Sequence, residues 1–402
     1  MTQIENSLEQ NSLSRSSFLI LVMAVTIAGF SQGMLLPVLA TLLEREGVSS
    51  AFNGLSAASL YLGMLVISPF LEKPIRKWGY KPIILFGMVL VTISVGLFPF
   101  WMNFYFWIIL RFVVGLGDTA LHYATQLWIT SNVTAEKRGR SITLYGLSYA
   151  IGFAIGPLGL MLLKINDWFP FIITVILFLL AFFPISSLTN ITPKEMEAQN
   201  QHNRYISVFA VAGIAMMPFF IFGFLESSLN SIVPLYGYRT GLSFSTISLL
   251  LFSFVIGSLV LQLPLGILSD HIGRKLVLTI TTWIGGILFL LIPTITHEIG
   301  LYIIFAMAGG FVGSLYSLGL ANIADILQPS LLPTANMIAT ILFGIGSMIG
   351  PYSGGLVMDL GQPSNLFYLI GVIVLLFALL SLIQLVHIRE FNKRAQANFI
   401  KK

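Results

Sequence analysis

Cysteine is absent from this 402-residue sequence, and charged residues are scarce. Without cysteine the chain has no disulfide bond, no thiolate metal site and no cysteine nucleophile. Charged residues make up only 9% of the sequence and hydrophobic residues 56%, whereas a soluble protein carries about 25% charge. This composition excludes a water-soluble globular domain.

Apolar runs of about 20 residues, long enough to cross a bilayer core of roughly 30 Å, recur along the whole chain. The first run, residues 18–43, is too long for a cleaved signal peptide and is expected to remain as a span. Twelve spans are predicted, near 18–43, 52–71, 82–99, 104–131, 141–163, 169–188, 206–236, 245–268, 276–295, 300–326, 334–358 and 366–388. The predicted fold class is an all-α integral membrane protein with twelve transmembrane helices.

The basic residues fall mainly on one side of these spans. The termini and alternate loops hold 17 of the 21 Lys and Arg residues, the opposite loops hold Arg45, Lys164 and Arg239, and Arg111 lies inside a span. Because cytoplasmic loops are enriched in Lys and Arg, both termini are predicted to be cytoplasmic in a multi-pass protein of the cell (inner) membrane. The net charge of +5 would suggest nucleic acid as the partner of a soluble protein. Here the basic residues are explained by the membrane side on which they lie, so the expected partner is the lipid bilayer and not nucleic acid.

The two halves of the chain repeat each other. Five glycines recur at one offset of 194 residues: Gly29-Phe30 as Gly223-Phe224, Gly63 as Gly257, Gly79 as Gly273, Gly115 as Gly309, and Gly156-Pro157 as Gly350-Pro351. Two six-helix repeats in the same orientation are predicted, with a binding site between them. The predicted divisions are a cytoplasmic tail 1–17, an N-terminal half 18–188, a central cytoplasmic loop 189–205, a C-terminal half 206–388 and a basic cytoplasmic tail 389–402.

The loop between the eighth and ninth spans reads GILSDHIGRK, from Gly266 to Lys275. This sequence resembles the signature loop of the major facilitator superfamily, with Asp270, Gly273 and Arg274 at matching positions. Asp270 is expected to accept backbone N–H groups at the N-terminus of a neighbouring helix, and so to hold two helices together in one conformational state. The alternative is a simple charged turn that obeys the charge bias.

The equivalent first-half loop, from Glu72 to Pro82, keeps Lys77, Gly79 and Lys81. At the 194-residue offset, Arg76 stands where the second half has Asp270. The first-half loop therefore lacks the matching carboxylate, for which Glu72 is a possible substitute, and the cytoplasmic gate is expected to be asymmetric.

The fourth span carries Arg111, Asp118 and His122 on one stripe. Seven residues at roughly 100° each bring Asp118 to within about 20° of the Arg111 direction, and His122 lies one turn further along. Arg111 and Gly115 also resemble the superfamily's fourth-helix pattern of Arg, three residues and Gly. Ionisable groups in a membrane helix favour the bundle interior and mark an ion or substrate pathway. The alternative is a static ion pair that fixes helix packing.

Glu226 in the seventh span has no basic residue within twelve positions on either side. Burial without a local basic partner favours the neutral acid, as a proton carrier needs. Its mate at the 194-residue offset is Gln32 in the first span, which places both near the predicted central cavity. The alternative is a protonated Glu226 that hydrogen-bonds a neighbouring helix.

The fifth and eleventh spans share the pattern glycine, three residues, glycine-proline, formed by Gly152, Gly156, Pro157, Gly346, Gly350 and Pro351. Small residues allow close helix approach and proline permits a bend, so a hinge is expected. The fifth-span copy resembles the antiporter signature of the drug/proton antiporter branch. The alternative is ordinary small-residue packing.

The resemblance to the major facilitator superfamily extends over the whole chain. It implies alternating access powered by an ion gradient, and the antiporter branch implies proton-coupled export of small amphipathic or cationic compounds. A monomer is expected, although the sequence itself does not determine the oligomeric state. A metabolite symporter and a lipid flippase remain alternatives within this fold; an intramembrane enzyme or a transporter-like sensor is the alternative from another class. No nucleophile-base pair, metal cluster or cofactor motif is found, so neither enzymatic activity nor a cofactor is expected.

Overall fold

The computed structural model describes residues 14–133, 135–193 and 204–400. The predicted N-terminal tail up to residue 13, residues 194–203 of the predicted central loop and the last two residues of the basic tail lie outside the described residues.

Within the described residues, twelve helices are long and apolar enough to cross a membrane. Numbered as spans 1 to 12, they are Arg15–Arg45, Ser50–Phe70, Tyr80–Phe100, Phe104–Ser131, Gly139–Lys164, Phe169–Ser186, Ile214–Arg239, Phe244–Ile272, Arg274–Thr294, Glu298–Ile326, Leu332–Asp359 and Asn365–Leu385. The predicted count of twelve spans is confirmed, because hydropathy over some 20 residues is a local property of the sequence.

Two spans depart from the continuous helices predicted for them. A separate helix, Arg204–Ala212, and a 3-10 turn precede the main helix of span 7, which begins at Met217 next to Pro218. Span 10 consists of the helices Glu298–Val312 and Leu315–Ile326, separated at Gly313 and Ser314. Proline and glycine weaken continuous helix at such places, and the sequence prediction of these two spans as single helices was wrong.

The glycine-proline pattern has different local structure in the two halves. In span 5 the α-helix Ala135–Ile155 ends before Gly156, and Pro157 lies in a 3-10 helix that runs to Lys164. In span 11 Pro351 lies inside the continuous helix Leu332–Asp359. The sequence pattern is therefore repeated, whereas the local change of helix type occurs only in span 5.

Glycine contacts confirm the 194-residue repeat. A Cβ atom added to each of these glycines would meet a backbone carbonyl oxygen, and the residue that carries this oxygen also recurs at the 194-residue offset. The contacts are Gly29 with Tyr149 and Gly223 with Phe343, Gly63 with Phe112 and Gly257 with Ala306, and Gly115 with Leu60 and Gly309 with Phe254. The described glycines with positive φ also form pairs at this offset, Gly47 with Gly241 and Gly79 with Gly273. Both halves therefore use glycine for the same close helix crossings and the same turns.

The chain divides into two compact units. The first comprises the described residues of 1–199 together with Asn230–Ser248, and the second comprises those of 200–229 together with 249–402. In the first unit Gly152 and Gly156 bring span 5 against the backbone of span 1. In the second, Gly346 and Gly350 do the same between spans 11 and 7.

Candidate functional site

Spans 1, 4 and 5 bring four polar side chains together in the first unit, here called the first-half cluster: Gln32, His122, Tyr145 and Tyr149. The Tyr149 hydroxyl donates a hydrogen bond of 2.6 Å to Gln32 Oε1, and His122 Nδ1 lies 3.0 Å from the Tyr145 hydroxyl oxygen. The His122 and Tyr149 rings meet edge to face with their centroids 5.0 Å apart. His122 Nε2 has no hydrogen-bond partner among the described residues. The cluster therefore presents hydrogen-bonding groups and aromatic edges from three helices.

Arg111 and Asp118 are the most deeply buried members of the span 4 stripe, with 2% and 0% of their surfaces exposed. Their side-chain nitrogen and oxygen atoms make no hydrogen bond within the described residues. Seven residues correspond to about 10 Å along a helix axis, which keeps the two groups apart. The alternative of a static ion pair between them is therefore not observed in this structure.

Arg111 and Gln32 line a small cavity in the first unit together with apolar side chains of spans 1, 2 and 4 and Phe98. Its volume of about 10 Å³ corresponds to the space for one water molecule. A guanidinium buried without an acceptor is costly. Gln32 thus connects the two parts of the site, since it lines the Arg111 cavity and also hydrogen-bonds Tyr149.

The second unit holds a more apolar group at related positions, here called the second-half cluster: Phe222, Glu226, Tyr316 and Phe343. The Tyr316 ring lies 6.0 Å from that of Phe222 and 5.9 Å from that of Phe343, between centroids. Glu226 is partly buried and interacts electrostatically with Tyr316. The arrangement combines one carboxyl group with three aromatic rings.

Tyr316 and Phe343 were missed by the sequence analysis, although the repeat contained the signal. Adding 194 to His122 gives Tyr316, and adding it to Tyr149 gives Phe343. The two clusters therefore occupy equivalent positions in the two repeats, and they differ in chemistry. Hydrogen-bonding groups predominate in the first, whereas three aromatic rings and one acid make up the second.

The signature loop of the second half is built around Arg274. Its guanidinium donates to the Ala321 carbonyl oxygen at 2.8 Å and lies 3.2 Å from a carboxylate oxygen of Asp270 and 3.2 Å from one of Asp325. Asp270 thus pairs with a side chain four residues further along the chain, at the start of span 9. Within the described residues it accepts no backbone N–H from a neighbouring helix, so the expected contact with a helix N-terminus is not observed there. Gly273, with φ of 100°, separates spans 8 and 9. Gly266 has open space around it, so no contact there requires glycine.

The first-half loop is held by different groups. Glu72 pairs with Arg76 at 2.5 Å, and Lys81 Nζ donates to the carbonyl oxygens of Ser186 and Leu188 at 2.7 and 2.9 Å. Lys77 lies over the Trp78 ring, 5.8 Å from its centroid. The two loops therefore differ in structure. In the first-half loop Lys81 binds the end of span 6, whereas in the second-half loop two carboxylates contact Arg274.

Asn190, which follows span 6, completes the first-half loop and was not recognised as a site residue from sequence. Its amide donates to the Trp78 carbonyl oxygen at 2.8 Å and accepts from the Lys81 backbone N–H at 3.2 Å. Gly79 has φ of 88°, and a Cβ atom there would overlap the Asn190 side chain. Asn190 therefore joins the loop after span 2 to the end of span 6.

The three basic residues that the sequence analysis assigned to the side of the membrane away from the termini all have partners within the first unit. Arg239 forms an ion pair with Glu44 at 2.6 Å, Arg45 forms one with Asp167 at 2.8 Å, and Lys164 donates to the Ser245 hydroxyl at 2.6 Å. Arg239 and Ser245 belong to the Asn230–Ser248 segment. These contacts join the ends of spans 7 and 8 to the ends of spans 1 and 5.

Comparison with known proteins places these features in a family. The profile described as Major Facilitator Superfamily matches residues 21–240 and 215–401. The uncharacterized MFS-type transporter YfkF of Bacillus subtilis (strain 168) is 40% identical over 362 residues, which cover 89% of this chain and 93% of that protein. The uncharacterized MFS-type transporter YcaD of Escherichia fergusonii is 24% identical over 85% of this chain and 88% of its own length.

Two solved structures have the same fold. The nucleoside transporter NupG matches with a TM-score of 0.74 at 14% identity, covering 92% of this chain and 98% of its own. A bacterial homolog of the human lysosomal transporter Spinster, in an inward-facing and unoccupied conformation, matches with a TM-score of 0.63 at 15% identity, covering 90% and 94%. At these identities the likeness concerns the fold.

Proposed function

Because the chain belongs to the Major Facilitator Superfamily, we propose that it is a secondary active transporter that exports small amphipathic or cationic compounds in exchange for protons. Alternating access between the two sides of the membrane is driven by the proton gradient, and no ATP is consumed. The protein acts in the cell membrane with both termini in the cytoplasm, as the distribution of 17 against 3 basic residues supports.

The second-half cluster is the observation that carries this proposal. Aromatic faces attract organic cations, with a strength that increases when the cation loses water. A carboxylate beside them supplies the opposite charge, and an acid inside a membrane helix is also suited to carry a proton. Glu226 thus binds either a proton or a cationic substrate, and the rings of Phe222, Tyr316 and Phe343 supply the aromatic faces.

The test is transport of ethidium in proteoliposomes with an imposed pH gradient. Glu226→Gln should abolish gradient-driven transport while exchange of ethidium without a gradient persists, because the amide imitates the protonated acid. Glu46→Gln, in the exposed turn after span 1, is the matched control and should transport as the wild type does. If Glu226→Gln keeps its pH dependence and Asp118→Asn loses it, Asp118 is the carrier. Normal coupling in both variants would contradict a role for either acid in proton exchange.

The first-half cluster supports one second candidate, symport of a polar metabolite. Its amide, imidazole and phenol groups suit a ligand with several hydrogen-bonding groups better than a lipophilic cation, and one neighbour of the same fold is named a nucleoside transporter. Thermal unfolding of the purified protein with ethidium or with uridine separates the two candidates, since a bound ligand raises stability by mass action. Stabilisation by uridine alone, reduced in His122→Ala, would favour the metabolite symporter.

The two signature loops supply the proposed gating. Interactions of Arg274 with Asp270 and Asp325 hold the end of span 8 against the end of span 10, and the Asn190 and Lys81 contacts hold the start of span 3 against the end of span 6. The two acids of the first set are exposed, and ion pairs with exposed partners are weak in water. We expect the second-half loop to rearrange during transport more than the first-half loop.

A further inference from the structure

A separate cavity lies at the start of span 9, within the second unit and outside both clusters. Its volume is about 310 Å³, and it is lined by Gly273, Arg274, Lys275, Leu276, Asn322, Asp325 and Leu385. Small-molecule sites span about 300–1,000 Å³, so this cavity is large enough for a small polar group. Nothing in the proposed transport mechanism uses it as a binding site.

The cavity contains unused hydrogen-bond donors. Gly273 precedes the first turn of span 9 and provides no side-chain cap, and the first amide groups of an α-helix have no partner within the helix. These amides carry the positive end of the helix dipole and bind phosphate or other anions in many proteins. Asn322, only 9% exposed, also lines the cavity, and its side chain makes no hydrogen bond within the described part of the chain.

One basic group at this place has no acid partner among the described residues. Arg274 is already engaged by Asp270, Asp325 and the Ala321 carbonyl oxygen. Lys275, the next residue, is partly buried at the cavity and forms no ion pair within residues that the structure describes. One unneutralised ammonium, uncapped helix amides and a buried amide side chain together form a site for a phosphate group.

The surroundings of the cavity are apolar and exposed. Ile272, Ile326 and Ile383, each next to or near a cavity residue in the chain, are 46%, 43% and 57% exposed. They lie at the ends of membrane spans, where lipid headgroups meet the protein, and basic pockets at such places bind anionic lipids. We propose that this cavity binds the phosphate group of an anionic phospholipid, with soluble phosphate as the other source of the same chemistry.

Thermal unfolding of the purified full-length protein in detergent tests the proposal by titration with three additives. These are dioleoylphosphatidylglycerol, dioleoylglycerol, which has the same acyl chains without phosphate, and inorganic phosphate. A saturable rise in Tm with phosphatidylglycerol alone identifies a lipid site, and the same rise with inorganic phosphate identifies a soluble ligand. An equal response to dioleoylglycerol would overturn the proposal.

Variants locate the binding. Lys275→Gln should raise the phosphatidylglycerol concentration at half-saturation about tenfold, because one charge-assisted hydrogen bond is lost. Lys275→Arg should restore the wild-type concentration. Asn322→Ala tests the site independently and should also weaken binding. Lys73→Gln, an exposed lysine of the first-half loop, is the control and should bind as the wild type does. If the concentration at half-saturation is the same as in the wild type for both Lys275→Gln and Asn322→Ala, the assignment of a phosphate site to this cavity is refuted.

Discussion

Replacing Arg239 by Gln should loosen the packing of the Asn230–Ser248 segment against the first-half helices. Arg239 Nε lies 2.6 Å from Glu44 Oε1 and Nη2 lies 3.3 Å from Oε2, so the guanidinium binds the carboxylate at two points. The Glu44 side chain is only 9% exposed and that of Arg239 is 27% exposed. Without the cation, the carboxylate is left with little access to water.

The size of the effect follows from this partial burial. Removing one partner of a fully buried pair costs about 3–5 kcal/mol, whereas an exposed pair contributes about 0–1 kcal/mol. With one partner buried and the other partly exposed, we expect a cost of about 2 kcal/mol, which is a change of about 30-fold at 1.4 kcal/mol per factor of ten. Asp167, the partner of Arg45, is 51% exposed, so Asp167→Asn should change the same equilibrium by less than about fivefold.

The natural absence of cysteine provides the assay. Thr41 is 0% exposed near the end of span 1, and a Thr41→Cys protein should react slowly with a water-soluble thiol reagent. Adding Arg239→Gln should accelerate the reaction about 30-fold, because the loss of about 2 kcal/mol makes the opened state of the segment more populated. Adding Asp167→Asn should accelerate it less than about fivefold. Adding Glu44→Gln to Arg239→Gln should slow it again, since no unpaired charge remains. Equal rates in the Arg239→Gln and Asp167→Asn proteins would refute this reasoning.

Three further predictions concern other parts of the molecule. Asp270→Asn should reduce the transport rate without changing the yield of folded protein, because the lost ion pair is exposed and contributes only about 0.3–0.5 kcal/mol; wild-type transport would contradict a gating role. Gly115→Ala should destabilise the protein by about 1–3 kcal/mol, because the added Cβ would collide with the Leu60 carbonyl oxygen of span 2. Gly96→Ala, whose Cβ would make an ordinary 3.7 Å contact, should be tolerated. Equal Tm values for the two variants would contradict this reasoning. His122→Cys should react with a water-soluble thiol reagent faster than Asp118→Cys, because His122 is half-buried and Asp118 is 0% exposed. The reverse order of reaction rates would place Asp118 in the water-accessible path.

Much of the fold was predictable because its determinants are local. Twelve spans follow from the hydropathy of successive segments, and the 194-residue repeat follows from glycines that each half needs for the same crossings, such as Gly29 and Gly223. The breaks in spans 7 and 10 were missed, since a glycine or proline interrupts some membrane helices and not others: Pro157 lies in a 3-10 helix and Pro351 in an α-helix.

The candidate site was predictable only in part. Arg111, Asp118, His122, Glu226 and Gln32 were singled out because polar residues in membrane spans are costly, and one sequence is enough to find them.

By itself, therefore, the sequence determined which segments cross the membrane, which side chains are too polar to face lipid, and which positions correspond in the two repeats. Tertiary structure alone decided the partners: Gln32 with Tyr149, Tyr316 with Phe343, Asn190 with Trp78, and Glu44 with Arg239. The physical reason is that hydropathy acts along a single helix, whereas a hydrogen bond or ion pair between helices depends on the rotation and crossing of segments up to 195 residues apart in the chain.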